Sequence, residues 1–355
     1  MKLYFDSSSL KNWFLEEKRD LPWRQNVTAY KVWISEVMLQ QTQVSVVVSY
    51  FERWMDLFPT ISDLAKASID DVIKAWEGLG YYSRARNIHV AARYMVENHA
   101  GEFPEKLEDW TKIKGLGPYT IAAIAAFAFH KKTAPVDGNV YRVLARYFKI
   151  EEDLDKTQTK KELQKIALEI LPSSKPWIHG EALIELGAKV CKKKPNCTAC
   201  PLKNSCKAYR HGLAYVLPIK TKKVVYEKLE RSVALLICGD RVCVKRCEKN
   251  KIMSDLHEFL YFEVNVENSM KDPEKIMNAL KEKGLSPLFK RSLEEVSHSF
   301  TKYRVKLFPY IFEIKNIILQ ENVQWVPFQE LQKLAFSSGH KRILQNFLNT
   351  LGINE

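Results

Sequence analysis

The segment Trp110–Phe129, WTKIKGLGPYTIAAIAAFAF, carries two helical patterns hinged on Gly115-Leu116-Gly117. Apolar spacing predicts a first helix ending near Lys114. Pro118, whose fixed φ and missing N–H suit a first helical turn, starts the second. Gly115 and Gly117 let backbone N–H groups and the positive end of the second helix approach a phosphate without a Cβ in the way. As a lone G-x-G, the same turn also serves simply to pack two helices. Outward from this hairpin, the chain from Ser8 to about Ala208 reads as helix after helix, broken at Pro59, Gly101, Pro104 and Pro172, with no strand alternation.

Two carboxylates stand out around the hairpin. Glu36 lies in Tyr30–Phe51, YKVWISEVMLQQTQVSVVVSYF, read as one helix whose apolar residues occupy nearly every face. Such a helix is largely buried, and burial raises a carboxyl pKa toward that of a general acid. The bland alternative places Glu36 on a polar stripe with Gln40 and Gln43. Asp137, in APVDGNVYRVLARYF, follows the hairpin by about twenty residues and adjoins Gly138 and Asn139. It is placed to cap a helix beginning near Val140.

Cys191, Cys197, Cys200 and Cys206 form C-x5-C-x2-C-x5-C, four thiols within sixteen residues. That is compact enough to wrap one centre, and four thiolates suit zinc or an iron–sulfur cluster alike. Lys192, Lys193 and Lys194 hang on the same loop, where they would present positive charge to a phosphate backbone. Cys238, Cys243 and Cys247 sit in strand-like positions and read as structural.

The segment Tyr215–Lys228 is basic, contains Pro218 and reads as a linker. Beyond it the texture changes. SVALLICGDRVCVKR (Ser232–Arg246), FLYFEVNV (Phe259–Val266) and YRVKLFPYIFEI (Tyr303–Ile314) are strand-like, with helical stretches at Asp272–Lys283, Phe328–Ala335 and Lys341–Leu351. The expected organisation is therefore an all-α part (residues 1–214), a linker (215–228) and an α+β domain (229–355). The chain has 355 residues, 55 Lys and Arg against 42 Asp and Glu, and a net charge of +13. That balance favours a polyanionic partner, nucleic acid above all. No run approaches the roughly 20 apolar residues of a membrane helix, and the N-terminus turns charged before any signal core, so a soluble cytoplasmic protein with reduced cysteines is expected.

Taken together, these motifs resemble the helix-hairpin-helix DNA glycosylases with an iron–sulfur loop, and within them the MutY-type adenine DNA glycosylases. The carriers are LPWR (Leu21–Arg24), SEVMLQQTQV (Ser35–Val44), GLGYYSRARN (Gly78–Asn87), KGLGPYT (Lys114–Thr120), VDGNV (Val136–Val140) and the four-cysteine loop, while the C-terminal part is similar to that family's Nudix-type domain. The resemblance implies double-stranded DNA with adenine opposite 8-oxoguanine or guanine as partner, a [4Fe-4S] cluster rather than zinc, and a nucleoid-associated, monomeric enzyme of a bacterium. It implies that Glu36 protonates the departing adenine at N7 and that Asp137, with Asn139 beside it, stabilises an oxocarbenium-like sugar or traps it covalently before water attacks. It places Tyr119 at the catalytic centre, where endonuclease III relatives carry an attacking lysine, so strand cleavage by a Schiff base is not expected.

Adenine must leave the stack to be cut. The resemblance assigns Gln41, Leu79 and Tyr81 to the duplex wedge, Arg19, Trp23, Arg24 and Glu181 to the adenine pocket, and Thr301 to lesion reading. Lys302 stands where the family usually has histidine, and the first cysteine gap is one residue shorter than usual. The C-terminal part lacks the R-E-x-x-E-E helix of Nudix hydrolases, so recognition is its expected use. The competing expectations are an endonuclease III-like lyase acting on oxidised pyrimidines and a catalytically silent lesion binder.

Overall fold

The computed structural model describes residues 3–104, 106–221, 225–248, 253–264, 270–317 and 322–353. Contacts divide the chain into two compact units, Met1–Lys66 with Asn87–Lys223, and Ala67–Arg86 with Val224–Glu355.

The first unit is helical. Its elements include Ser7–Glu17, Ala29–Leu39, Val44–Leu57, Pro118–Phe127, Gly138–Phe148, Thr157–Glu169 and Pro176–Lys189. Caps set several starts: the Asp6 side chain accepts from the Ser9 N–H, and Thr28 from the Lys31 N–H, both at 3.1 Å. One core draws Leu10 and Phe14 together with Val140, Leu144, Leu163, Leu183 and Leu186. Burying such side chains contributes on the order of 2 kcal/mol each.

Two sequence expectations change here. The Tyr30–Phe51 stretch is not one helix but two, separated at Gln40–Gln43, where Gln41 takes a left-handed φ of 63°. The first arm of the hairpin is also shorter than expected, a helix at Leu107–Trp110 followed by turns rather than a helix reaching Lys114. Trp110 is fully buried and its indole N–H donates to the Pro104 carbonyl at 2.7 Å, which ties down the short arm. Gly115 then needs its lack of a side chain twice over. Its φ is +89°, and a Cβ there would lie 2.6 Å from the Asn87 Cβ.

The second unit is built on one sheet of β1 (Glu227–Cys238), β2 (Arg241–Arg246), β3 (His257–Glu258), β4 (Leu260–Glu263), β5 (Leu288–Ser292), β6 (Val296–Phe300), β7 (Tyr303–Glu313) and β8 (Val323–Pro327). The central order is β3-β2-β1-β7-β5, with β4 also on β1, β6 on β7 and β8 on β2. β1 and β7 pair in parallel, Val233 opposite Pro309, and the other pairs are antiparallel. Both faces of the centre are covered, which explains the near-continuous apolar run in β1. Val233 and Leu235 pack with the Ser338–Thr350 helix, while Ala234 and Leu236 pack with the Pro273–Glu282 helix. The strand-like runs read from the sequence match β1, β2, β4 and β7, and β1 begins two residues inside the expected linker. Residues 222–224 of that linker, and the last two of FLYFEVNV, lie outside the described residues. The strand-like runs do not include β3, β5, β6 or β8; β5 exposes four of its five residues, and β6 alternates buried and exposed positions over only five residues, which weakens the apolar signal.

Ala67–Arg86 sits inside the stretch expected to be purely N-terminal, yet it packs with the sheet unit. Two ion pairs and a hydrogen bond hold it there: Arg246 pairs with Asp70 and Arg86 with Asp255 (3.4 Å), and Arg86 also donates to the Ser254 carbonyl (2.9 Å).

Candidate active site

A cavity of about 450 Å³ opens in the helical unit, within the usual range for small-molecule sites. Glu36, Tyr119, Asp137, Asn139, Arg19, Trp23, Arg24, Glu181 and Gln41 all line it, so the fold gathers into one place residues spread over some 160 positions of sequence.

Glu36 enters from the Ala29–Leu39 helix, nearly buried at 8% exposure. The Tyr119 hydroxyl, one residue into the helix that Pro118 begins, donates to Glu36 Oε2 at 2.6 Å. Burial pushes the Glu36 carboxyl up to about 7; the Tyr119 hydrogen bond and Arg24 oppose this, and the charges of Asp137 and Glu181 add to it. A carboxyl that holds its proton near neutral pH is suited to act as a general acid. Burial, then the charges of Glu36 and Asp137, keep the Tyr119 hydroxyl well above the ordinary tyrosine value, so it remains a donor.

Asp137 is the N-cap of the Gly138–Phe148 helix, as its spacing predicted. Oδ1 accepts from the Asn139 and Val140 N–H groups at 2.9 and 2.8 Å, and Oδ2 from Asn139 Nδ2 at 2.7 Å. Burial keeps this carboxyl above its ordinary value, and those three donors with the Arg142 charge offset part of the rise. Every one of these contacts favours the ionised form, whereas Glu36 has one such donor. Burial thus raises both carboxyls, but Asp137 meets three donors that oppose the rise where Glu36 meets one.

The sequence did not single out three residues that complete this arrangement. Arg142 donates to Asn139 Oδ1 (2.7 Å), the Gly187 carbonyl (2.9 Å) and the Cys191 carbonyl (2.7 Å), and so orients the asparagine that holds Asp137. Gly187 lets its helix pass close by: a Cβ there would lie 2.6 Å from Asn139 Cβ and 3.1 Å from its backbone. Glu185 is fully buried, pairing with Arg19 at 2.6 and 3.0 Å and with Arg24 at 3.0 Å. Burial raises its carboxyl, but the two arginines outweigh that and hold it below the usual range. Arg24 also bridges to Glu181 at 3.0 Å, so it pairs inside the cavity and not with a surface acid. A signal for Glu185 was available, since it follows Glu181 by one helical turn on an otherwise apolar helix.

Trp23 packs edge-on to Phe51, centroids 5.4 Å apart, as a wall of the site. Gly117, the hairpin's second glycine, is the N-cap of the Tyr119 helix without a side-chain bond, and open space surrounds the position of its absent Cβ. Gln41 is exposed at the cavity's lining. Leu79, Tyr81 and Thr301 belong to the second unit. Leu79 is buried there, so Tyr81, 46% exposed, is the side chain this turn presents to solvent. Thr301 is exposed at the β6–β7 hairpin in a left-handed conformation, φ 49°.

Cys191, Cys197, Cys200 and Cys206 line one small cavity of about 30 Å³. Burial pushes the Cys200 thiol up to about 12 and raises those of Cys197 and Cys206, with mutual charge adding to each. Four thiols facing one space would ionise together only around a strongly cationic centre, which is the chemistry of a thiolate-bound metal group. The buried Arg146 ties their loop down, donating to Cys191 Sγ (3.3 Å) and to the carbonyls of Lys192 (2.6 Å) and Lys193 (3.1 Å). Among the described residues no group of three His, Cys, Asp or Glu is arranged to hold a single metal ion, and no helix is long and apolar enough to cross a membrane.

Residues 34–169 match the HhH-GPD superfamily of base excision DNA repair proteins, and residues 232–346 match the NUDIX domain. A solved thermostable thymine-DNA glycosylase is similar over 58% of this chain and 95% of its own, at 26% identity and a TM-score of 0.52. Fold and site therefore define a helix-hairpin-helix protein of the base excision repair class with a Nudix-like second domain. The adenine DNA glycosylase of Buchnera aphidicola subsp. Acyrthosiphon pisum is 30% identical over 98% of this chain and 99% of its own length, and that of Mus musculus is 43% identical over 57% and 41%. The chain belongs to the adenine DNA glycosylase family. The match spans about two fifths of the length of the mouse relative.

Proposed function

We propose that this chain is a monofunctional DNA glycosylase that excises adenine mispaired with 8-oxoguanine or guanine from duplex DNA and leaves an abasic site. The observation that carries this is the pair of carboxyls in one cavity, Glu36 raised to about 7 by burial against a single hydrogen-bond donor, and Asp137 also raised by burial but countered by three N–H donors that favour its ionised form. Glycosidic cleavage needs that pair: one group protonates the leaving base, the other faces the cationic sugar. Glu36 gives its proton to N7 of the flipped adenine, the C1′–N9 bond breaks with its electrons going to the base, Asp137 stabilises the sugar, and water adds to C1′, its released proton returning to the Glu36 carboxylate. Arg19, Trp23, Arg24 and Glu181 hold the base, and Tyr119 orients the Glu36 carboxyl. Tyr119 offers a phenol and not an amine beside Glu36, and a phenol cannot form a Schiff base with the sugar.

The donors in the cysteine loop suit a [4Fe-4S] cluster, held by Cys191, Cys197, Cys200 and Cys206; when bound it cross-links the loop that carries Lys192, Lys193 and Lys194. Tyr81, Gln41 and Thr301 read the mispair, and the chain works as a monomer on nucleoid DNA. The test is single-turnover adenine release from duplexes with A opposite 8-oxoguanine, guanine or thymine. Release from the mispairs alone, seen as strand breaks only after alkali, is expected. Breaks without alkali and a borohydride-trapped adduct would replace this with a lyase, and no release from any duplex with an intact cluster would leave a lesion-binding protein.

A further inference from the structure

The turn carrying Tyr81 is built as a rigid mount. Tyr81 sits in a left-handed conformation, φ 49°, which a bulky residue adopts only when its surroundings enforce it. Gly78 and Gly80, at φ 105° and 70°, make the bend on either side of Leu79. Arg84, 9% exposed, donates to the Leu79 and Gly80 carbonyls at 3.1 and 3.0 Å and lies over the Trp76 ring, while the Trp76 indole N–H donates to Gly80 at 3.1 Å.

Immediately before this bend stands Glu77, 6% exposed, which the proposed chemistry does not use. Its Oε1 accepts the Phe336 N–H at 2.8 Å, and its Oε2 pairs with Lys341 at 2.7 Å and Lys74 at 2.9 Å. Lys74 in turn donates to the Leu334 carbonyl at 2.9 Å. Phe336 is fully buried in the core under the sheet, and Lys341 is on the helix that covers it. A carboxylate buried this deeply is a fixed node, because its charge is held only with these partners in place, while the two partly exposed ammonium groups reach it from the rim.

We infer that Glu77 is a positioning residue through which the C-terminal α+β fold holds the Tyr81 turn, so that discrimination of the base opposite adenine depends on the Glu77–Lys341–Phe336 node. This rests on the proposed function. Tyr81 and Thr301 then belong to one compact unit, while the carboxyls that cut the base belong to the other.

The test uses the full-length holoprotein and the ratio of single-turnover rates for A opposite 8-oxoguanine and A opposite guanine. Glu77→Gln keeps an acceptor for the Phe336 N–H but removes the charge. Tyr81→Ala and Glu77→Gln are each expected to lower the ratio roughly tenfold, and the double variant no further than Tyr81→Ala alone, since both act through one contact. Lys341→Met, at a partly exposed position, should reproduce the effect should Glu77→Gln fold poorly. The alkaline limb of the pH profile, set in the other unit, should stay in place. Additive losses in the double variant, an unchanged ratio in Glu77→Gln and Lys341→Met, or an unchanged ratio in Tyr81→Ala would each overturn the inference. A wild-type protein that releases no adenine would instead overturn the proposed activity.

Discussion

Replacing Glu36 with glutamine is expected to abolish adenine release and yet make the protein more stable above neutral pH. Burial lifts the Glu36 carboxyl from 4.5 to about 7. Below about pH 4.5 the group is protonated in both the folded and unfolded chains and its titration contributes nothing. Between about 4.5 and 7 the unfolded chain gives up a proton that the folded one keeps, so stability falls as pH rises, and above 7 the full cost is present. At about 1.4 kcal/mol per unit of pKa difference, that cost is about 3 kcal/mol. Glutamine has nearly the same shape, its carbonyl still accepts the Tyr119 hydroxyl, and it carries no charge to desolvate. For a helical unit of roughly 200 residues the gain corresponds to a melting temperature higher by roughly 6–12 °C. Thermal unfolding of wild type and Glu36→Gln at pH 8 and at pH 5, with the four-cysteine site loaded in both, measures it directly. A large gain at pH 8 that shrinks at pH 5, in a variant that still binds mispaired duplex without cutting it, is the expected outcome. A variant no more stable than wild type at pH 8 would refute the claim that Glu36 is held against its charged form, and with it the assignment of Glu36 as general acid.

The single-turnover rate of adenine release should fall as pH rises through about 7, because the proton donor is then lost, and Tyr119→Phe should move that limb to higher pH by removing a hydrogen bond that favours the carboxylate. Glu185→Gln keeps the shape of the arginine clamp but leaves Arg19 and Arg24 with one counter-charge fewer; the freed positive charge favours ionised Glu36, so the same limb should move about one pH unit lower. Loss of rate with no movement of the limb would make Glu185 purely structural. Gly187→Ala should destabilise by about 1–3 kcal/mol and depress excision, because the new Cβ meets the Asn139 backbone, which cannot swing away as a flexible side chain would. Thermal melts and release rates on one preparation check both effects. Cys200→Ser should lose iron, sulfide and visible absorbance together; retention of all three would remove Cys200 from the ligand set.

The parts of this protein legible in its sequence are those whose cause is local. Asp137 followed by Gly138 and Asn139 announces a cap, and the structure makes it one, because an N-cap needs only the chain's next few N–H groups. The apolar runs of β1 and β7 announce strands for the same reason: burial leaves its mark on each residue in turn. The break at Gln40–Gln43 was hidden because the apolar residues on either side continue the helical pattern while the backbone at Gln41 turns left-handed. Glu185 is legible only as a carboxyl one turn after Glu181; its pairing is not. Its partners lie 161 and 166 positions away, and nothing beside it in the chain hints at either arginine.

The Ala67–Arg86 segment shows why local legibility also misplaces a boundary. Its helical pattern matches its neighbours in sequence, so it reads as part of the N-terminal helices. What assigns it elsewhere is a handful of charges, Asp70, Glu77 and Arg86, whose partners come from beyond position 245. Surface pairs of this kind contribute little, about 0–1 kcal/mol, but Glu77 is buried, and a buried charge that loses its partners costs several kcal/mol. The one carboxylate that cannot be left unpaired is thus the one that fixes where the segment belongs. It stands one residue before the bend that presents Tyr81.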